Sequence, residues 1–340
     1  IAQRVQEQAE TRHLVRPQLY YIGENEYSPV QLFNNQIAFV KSASGAKSLR
    51  GTHISFLQYL KSAFPIFKSF IKMFSLFPDV ILTKGGSSTF PTLVAAKMLG
   101  IPVMIHETNT VPSESNLWAA HFAKRIGVAY KTSATYFPAE KTAHVGQPIR
   151  KEIEHVLTEG AREYLHLEGG LPVILVLGGT VDSEIINDTI VNSLPLLLDR
   201  YQVIHQTGKD QIESIREIAK VILKDSPYAS RYHPFSYLDD LAIRMAAGSA
   251  SLAVSQAGSV MFELASWRIP AIVVPVTASI DDHQRKNAFA YARLGGAEVI
   301  EEPNLTPHLL VSEIDRLIQN PKIRAEMQEV ADSFTQSGAA

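Results

Sequence analysis

The chain is expected to be an α/β protein with two doubly wound parallel-sheet domains, and three observations predict it. Short apolar runs alternate with amphipathic helical stretches from residue 79 onward. Three runs in the second half end in a glycine-bearing turn: Leu177-Gly178-Gly179-Thr180, Gln206-Thr207-Gly208-Lys209 and Ser255-Gln256-Ala257-Gly258-Ser259. At 340 residues the chain also exceeds what one hydrophobic core usually supports.

In chain order, Asp79 to Thr83 reads as a buried strand followed by Gly85-Gly86, a helix from Pro91 to Leu99 and a strand from Ile101 to Ile105. The same grammar returns with strands over Val173–Leu177, Tyr201–His205, Leu252–Ser255 and Ile269–Val274, separated by helices through Ile185–Leu198 and Ile212–Leu223 and from Phe262. Strands this uniformly apolar suit parallel sheets covered on both faces. The join is expected between Arg150 and Leu171, where charged, Gly-containing sequence lacks a strand signal. That gives a first domain over 1–155 and a second over 165–325. A closing helix, Pro321 to Phe334, leaves 326–340 to pack on either domain. Ile1 opens in the middle of a helical pattern, so further residues are expected upstream.

Composition narrows the function classes. The chain is 46% hydrophobic and 19% charged, as soluble globular proteins are. It has no Cys, which excludes disulfides, Cys-ligated metals and thiol nucleophiles. No apolar run approaches the ~18 residues that span a bilayer. The net charge of −2 conceals an asymmetry: residues 1–150 carry 16 Lys/Arg against 8 Asp/Glu, and 151–340 carry 16 against 26. No acid occurs between Glu26 and Asp79, so the first half favours an anionic surface as partner. No nucleic-acid module is recognisable there, and nucleic acid is not expected as the partner.

A strand that ends in Gly and leads into a helix points several backbone N–H groups at one spot, an arrangement that holds anions without a metal. The glycine-bearing turns therefore suggest a nucleotide diphosphate. Glu263 lies five residues beyond Gly258, and Asp281-Asp282-His283-Gln284-Arg285-Lys286-Asn287 follows the next strand, so one cluster offers contacts to phosphates, a ribose and a sugar. His106, Glu107 and Asn109 sit at the end of a first-domain strand, the edge where open α/β sheets bind ligands.

Gly85-Gly86, Ile105-His106-Glu107-Thr108-Asn109 and Gly146-Gln147-Pro148-Ile149-Arg150 come in the same order as in a known family. So do Gly178-Gly179-Thr180, His205-Gln206-Thr207-Gly208, Tyr237-Leu238-Asp239-Asp240, Ser255 to Glu263 and Asp282 to Ala288. The chain resembles the bacterial lipid I N-acetylglucosaminyltransferase (MurG) family over about residues 80–330. It departs from the family pattern at Asp182, close to the phosphate turn, and at Gln147, where Asn is usual.

The resemblance implies a GT-B fold, two Rossmann-like domains facing across a cleft. It implies inverting, metal-independent transfer of N-acetylglucosamine from its uridine diphosphate to a lipid-diphosphate-linked acceptor, with no cofactor, at the cytoplasmic face of the membrane. Donor contacts fall to Arg150, Gly178, Gly179, Thr180, Leu238, Gly258, Ser259, Glu263, Gln284 and Asn287. Among these, Glu263 is assigned the ribose, the Leu238 backbone the uracil and Gln284 the sugar hydroxyls. Gly85, Gly86 and Asn109 are assigned the acceptor, and His106, Glu107 and Asn109 the catalytic positions, with a His upstream of Ile1 as a competing base. A sugar-nucleotide epimerase, a transferase for another glycolipid and a non-catalytic donor-binding subunit are the alternatives.

Between Phe56 and Phe77 aromatic residues interleave with Lys61, Lys68 and Lys72. Pro65 is expected to break the helix there. Part of this aromatic set must cover the first sheet. The remainder, represented by Phe64, Phe67, Lys68, Phe70 and Lys72, is expected to dock on an anionic membrane surface.

Overall fold

The computed structural model describes residues 1–25, 29–42, 56–178, 184–277 and 282–334. The chain divides into two compact units, Ile1–Pro148 and the remainder from Ile149.

In the first unit, α1 (Ala2–Thr11), β1 (Leu19–Gly23), α2 (Pro29–Asn34) and β2 (Ile37–Lys41) precede a long helix, α3 (Phe56–Leu76). Then come β3 (Ile81–Thr83), α4 (Phe90–Leu99), β4 (Val103–Glu107), α5 (Glu114–Ala120), β5 (Arg125–Val128) and β6 (Thr142–His144). β1 and β2 form a parallel pair of their own, and β3-β4-β5-β6 form a parallel sheet in sequential order. Val103, Ile105, Ile126 and Val128 fill its core together with Leu93, Ala95 and Ala96 of α4. Gly100 ends α4 in the left-handed region at φ +69°, where a residue with a Cβ is strained, so β4 starts after a sharp stop.

α3 is continuous through Pro65, against the expected break. Proline removes one main-chain hydrogen bond, a local loss that the packing of α3 on α4 outweighs. Ser69 and Met73 are buried on this face, and Phe70 and Leu76 pack half-buried against the same core. Phe64, Phe67, Ile71 and Phe74 lie exposed on another face at spacings of three and four.

The second unit contains α6 (Ala161–Tyr164), β7 (Val173–Leu177), α7 (Glu184–Leu197), β8 (Gln202–Gln206), α8 (Ile212–Ile222), β9 (Tyr232–Phe235) and α9 (Asp240–Ser249). β10 (Ala250–Gln256), α10 (Val260–Ser266), β11 (Ala271–Val274), α11 (His283–Ala292), β12 (Ala297–Val299), α12 (Pro307–Gln319) and α13 (Pro321–Phe334) complete it. All six strands are parallel in the order β12-β11-β10-β7-β8-β9. The chain winds outward from β7 to β9, returns to the middle at β10 and winds out the other way. Its topological switch point lies between β7 and β10, where such sheets open a ligand crevice beyond the carboxyl ends of the strands.

The division falls at Pro148–Ile149, ahead of the expected stretch from Arg150 to Leu171. The segment after it is tied into the second unit: Trp267 Nε1 donates to Ile153 O at 2.6 Å, Arg244 Nε to His155 O at 2.7 Å, and Leu157 N to Arg244 O at 3.0 Å. α13 packs on α10 and α12, and Phe334 lies 4.6 Å from Phe262 and 4.2 Å from Tyr291 between ring centroids. The described end of the closing segment therefore belongs to the second unit.

Candidate functional site

Four turns of the second unit leave neighbouring strands at the same carboxyl edge. Gly178 follows β7, Thr207-Gly208 follows β8, Tyr237-Leu238 follows β9, and Ala257-Gly258 follows β10 at the switch point. A Cβ on Gly258 would meet nothing within 4 Å, so packing does not demand the glycine and the space above it is open. Ser259 is exposed at the cap of α10, and Glu263 stands one turn further along, half-buried. Gly179, Thr180 and Asp182 lie outside the described residues. The Gly178 N–H donates to Gln206 O at 3.1 Å, so it continues the strand ladder rather than pointing at a ligand.

Arg150 and Glu263 come together from distant parts of the sequence. Desolvation raises the Glu263 pKa, and the Arg150 charge opposes that rise. Arg150 is itself partly desolvated, which works against its charge, but Asp240, Tyr237 and Glu263 outweigh this and raise its pKa. Its Nη1 donates to Asp240 Oδ1 at 2.6 Å, with the two side chains 36% and 48% exposed. One of the five guanidinium N–H groups is engaged in that bond, and the partly exposed fork has further donors for an anion.

Leu238 is buried, and its N–H donates to Gln206 Oε1 at 2.9 Å. Gln284 Oε1 accepts from Val276 N at 3.1 Å, which ties the start of α11 to the end of β11. Asn287 is buried one turn later on that helix.

Under the turn after β8 lies a polar network that the sequence did not disclose. His205 Nε2 meets Asn187 Oδ1 at 3.0 Å and its Nδ1 meets the Tyr232 hydroxyl at 2.9 Å. Asn187 Nδ2 donates to Thr207 O at 2.9 Å and to Gln211 Oε1. An amide oxygen only accepts, so the His205 proton sits on Nε2 and Nδ1 accepts from Tyr232. Complete burial pushes the His205 pKa down to about 3. The neutral ring joins α7, β8 and β9 just beneath the turns.

In the first unit, Glu107 is fully buried and accepts three hydrogen bonds: from Asn109 N at 3.0 Å, Ser113 N at 3.2 Å and Asn116 Nδ2 at 2.8 Å. Ser113 caps α5 by accepting from Asn116 N. Gly85 lies against this same cap at φ +85°, and a Cβ on it would come within 2.2 Å of Ser113 Oγ, so the glycine is required. Gly86 beside it faces open space. Asn109 is half-buried, held by its backbone to Glu107. His106 Nε2 donates to Gly146 O at 2.9 Å, and its buried Nδ1 has no hydrogen-bond partner among the described residues. Burial lowers its pKa, the Gly146 bond opposes this, and the Lys84 charge adds to the lowering.

The membrane candidates divide between two environments. Phe64, Phe67 and Lys68 are exposed, whereas Phe70 turns half-buried to the core and Lys72 donates to the Lys41 carbonyl. Among the described residues no helix is long and apolar enough to cross a membrane, and no three His, Asp or Glu side chains converge as metal ligands.

Gln206, Asn187, Tyr232, Asp240 and Asn116 are the structural partners that sequence reasoning did not single out. The motifs Gln206-Thr207-Gly208 and Tyr237-Leu238-Asp239-Asp240 marked the places of Gln206 and Asp240 without their roles.

Residues 5–128 match the glycosyltransferase family 28 N-terminal domain and residues 173–340 the glycosyltransferase family 28 C-terminal domain. A relative from Natranaerobius thermophilus is 30% identical over 290 residues, covering 84% of this chain and 76% of its own length. It is named UDP-N-acetylglucosamine–N-acetylmuramyl-(pentapeptide) pyrophosphoryl-undecaprenol N-acetylglucosamine transferase. The crystal structure of Acinetobacter baumannii MurG superposes with a TM-score of 0.71 at 24% identity, covering 99% of this chain and 92% of that one. A UDP-N-acetylglucosamine 2-epimerase structure from Listeria monocytogenes gives 0.69 at 13% identity over 99% and 89%, a likeness of fold alone. The architecture is that of GT-B proteins, two Rossmann-like domains. With both family domains in order and a relative this similar over most of its length, the chain belongs to glycosyltransferase family 28, within the lipid I N-acetylglucosaminyltransferase family.

Proposed function

We propose that the chain transfers N-acetylglucosamine from UDP-N-acetylglucosamine to undecaprenyl-diphospho-muramoyl-pentapeptide, with inversion at the sugar carbon. The observation that carries this reading is the convergence of Arg150 and Glu263 at the carboxyl edge of a sheet whose switch point opens beside Gly258, in a chain of this family. In the reaction a bond forms between the acceptor hydroxyl oxygen and the sugar carbon as the carbon–phosphate-oxygen bond breaks. The acceptor proton goes to a base, and uridine diphosphate leaves with the bonding pair.

Arg150 would stabilise the charge developing on the leaving diphosphate, and Glu263 would accept the ribose hydroxyls. Gln284 and Asn287 would hold the sugar, with Gly258 and Ser259 leaving room for it. In the first unit, Gly85, Gly86 and Asn109 would receive the acceptor. His106 would serve as the base among the described residues: its proton lies on Nε2 and burial, which lowers its pKa, leaves Nδ1 unprotonated, and the acceptor hydroxyl would have to reach this nitrogen, which is buried in the structure. Glu107, with three donors already on its oxygens, suits a brace for this loop rather than the base.

Peripheral binding to an anionic membrane fits the exposed stripe of Phe64, Phe67, Ile71 and Phe74 with Lys68 nearby. Such docking would bring the first unit to a lipid-linked acceptor.

The test is transfer of labelled sugar from UDP-N-acetylglucosamine to the lipid acceptor in detergent, with Glu263→Ala and Gln284→Ala alongside the unmodified chain. Labelled lipid that both substitutions abolish supports the reading. Label that stays on the nucleotide and changes its sugar configuration instead would point to the epimerase.

A further inference from the structure

Gln206 is the last residue of β8, the strand between β7 and β9. Its side-chain amide is half-buried and reaches both neighbours. Nε2 donates to Gly178 O at 3.3 Å, at the entrance to the turn after β7, and Oε1 accepts from Leu238 N at 2.9 Å, in the turn after β9. Those turns belong to separate strand–helix units, with the fully buried His205 network fixing the strands beneath them. Main-chain bonds already join the strand ends, Gly178 N to Gln206 O at 3.1 Å and Thr207 N to Phe235 O at 2.9 Å, and the Gln206 amide is the side chain that reaches past them to both flanking strand ends at once.

We propose that Gln206 is a positioning residue that sets the spacing between the β7 and β9 turns, and with it the grip of this unit on a nucleoside diphosphate. The inference rests on the donor-site reading above. An amide suits the task because its two ends differ: one donates and the other accepts, matching a carbonyl on one turn and an N–H on the other. A shorter side chain cannot span the gap. A carboxylate keeps the bond to Leu238 N–H but sets a second acceptor against the Gly178 carbonyl. A protonated carboxyl restores the pattern, since it has one donor and one acceptor in nearly the same places.

The experiment measures UDP and uridine binding by titration calorimetry at pH 8 and pH 5 for the unmodified chain, Gln206→Glu and Gln206→Met. At pH 8 UDP affinity is expected to fall on the order of tenfold for Gln206→Glu, the scale of one or two lost hydrogen bonds. Relative to the unmodified chain, that deficit is expected to shrink to about fourfold at pH 5 as part of the introduced carboxyl takes up its proton. Gln206→Met tests the same point without a new charge: it keeps length and loses both bonds. It is expected to weaken UDP by a similar factor while the thermal midpoint stays close to that of the unmodified chain. In turnover, the KM for UDP-N-acetylglucosamine rises more than kcat falls. If both variants bind UDP as the unmodified chain does, or if the Gln206→Glu deficit is the same at both pH values, the clamp is overturned while the donor site stands. An unmodified chain that binds no UDP overturns the donor site and the clamp with it.

Discussion

Glu107 Oε2 accepts a hydrogen bond from Asn116 Nδ2 at 2.8 Å in the interior of the first unit, and through it the end of β4 is joined to the first turn of α5. The same carboxylate holds the main chain at Asn109 and Ser113. It is thus the organiser of the whole loop that presents Asn109. Removing it takes the acceptor from one buried donor, Asn116 Nδ2, and from two part-buried ones, Asn109 N and Ser113 N. Glu107→Ala is expected to lower unfolding free energy by about 2–4 kcal/mol in urea titrations and to abolish transfer. Because the nucleotide site is assigned to the other unit, UDP affinity should remain within about twofold of the unmodified chain. A loss of transfer at unchanged stability would instead favour a chemical role for the carboxylate.

His106 is expected to impose an acid limb on turnover. Burial and the Lys84 charge hold its pKa below the usual histidine value, so the free base persists at neutral pH and is lost as pH falls below about 6.5. A pH profile of kcat/KM should be flat through pH 7 and drop on the acid side. His106→Gln should lower turnover by about 10²-fold or more and remove the limb. A limb that survives the substitution assigns it to another group.

Arg150 should matter to the ligand more than to the fold. Its pair with Asp240 is partly exposed, 36% and 48%, and exposed pairs of this kind contribute about 0–1 kcal/mol to stability. Arg150→Ala is expected to weaken UDP on the order of tenfold or more while changing uridine affinity by less than about twofold, since only the former carries phosphates. Equal losses for both ligands would remove Arg150 from the phosphate site.

The buried His205 network predicts how stability depends on pH. With the folded pKa near 3, far below the unfolded value of about 6.5, the unfolded chain takes up the proton first. The network's contribution is complete above about pH 6.5 and declines as pH falls toward 3. From pH 6.5 to pH 5 this group alone should cost about 2 kcal/mol of unfolding free energy. Denaturant titrations of the unmodified chain and His205→Gln at both pH values separate this loss from that of other groups, because the variant lacks it.

The exposed phenylalanines of α3 should govern attachment to lipid. Phe64→Ser with Phe67→Ser is expected to reduce sedimentation with anionic vesicles by about tenfold or more, given the apolar area each ring carries. Phe70→Ser should act mainly through stability, because Phe70 packs against the core. Vesicle binding that ignores both exposed positions would move the attachment surface elsewhere.

Much of the architecture was already legible along the chain, because it depends on local periodicity. Apolar runs such as Val173–Leu177 cannot lie on a surface, and an apolar strand alternating with an amphipathic helix has few ways to bury itself other than a parallel sheet. The glycine-bearing turns and the ordered motifs from Gly85 to Asn287 likewise announced the family. Only the tertiary structure decided which partners those residues have. Proline at 65 forbids one hydrogen bond but not a helix held by its neighbour, so the break was absent. Asp240 meets Arg150 across ninety positions, and Gln206 finds Gly178 and Leu238 on two other strands. A side-chain hydrogen bond is a matter of a few tenths of an ångström between atoms far apart in sequence, and no periodicity encodes it. Glu107 bears the same lesson: its position at a strand end was readable, but only the three donors around it make it a brace.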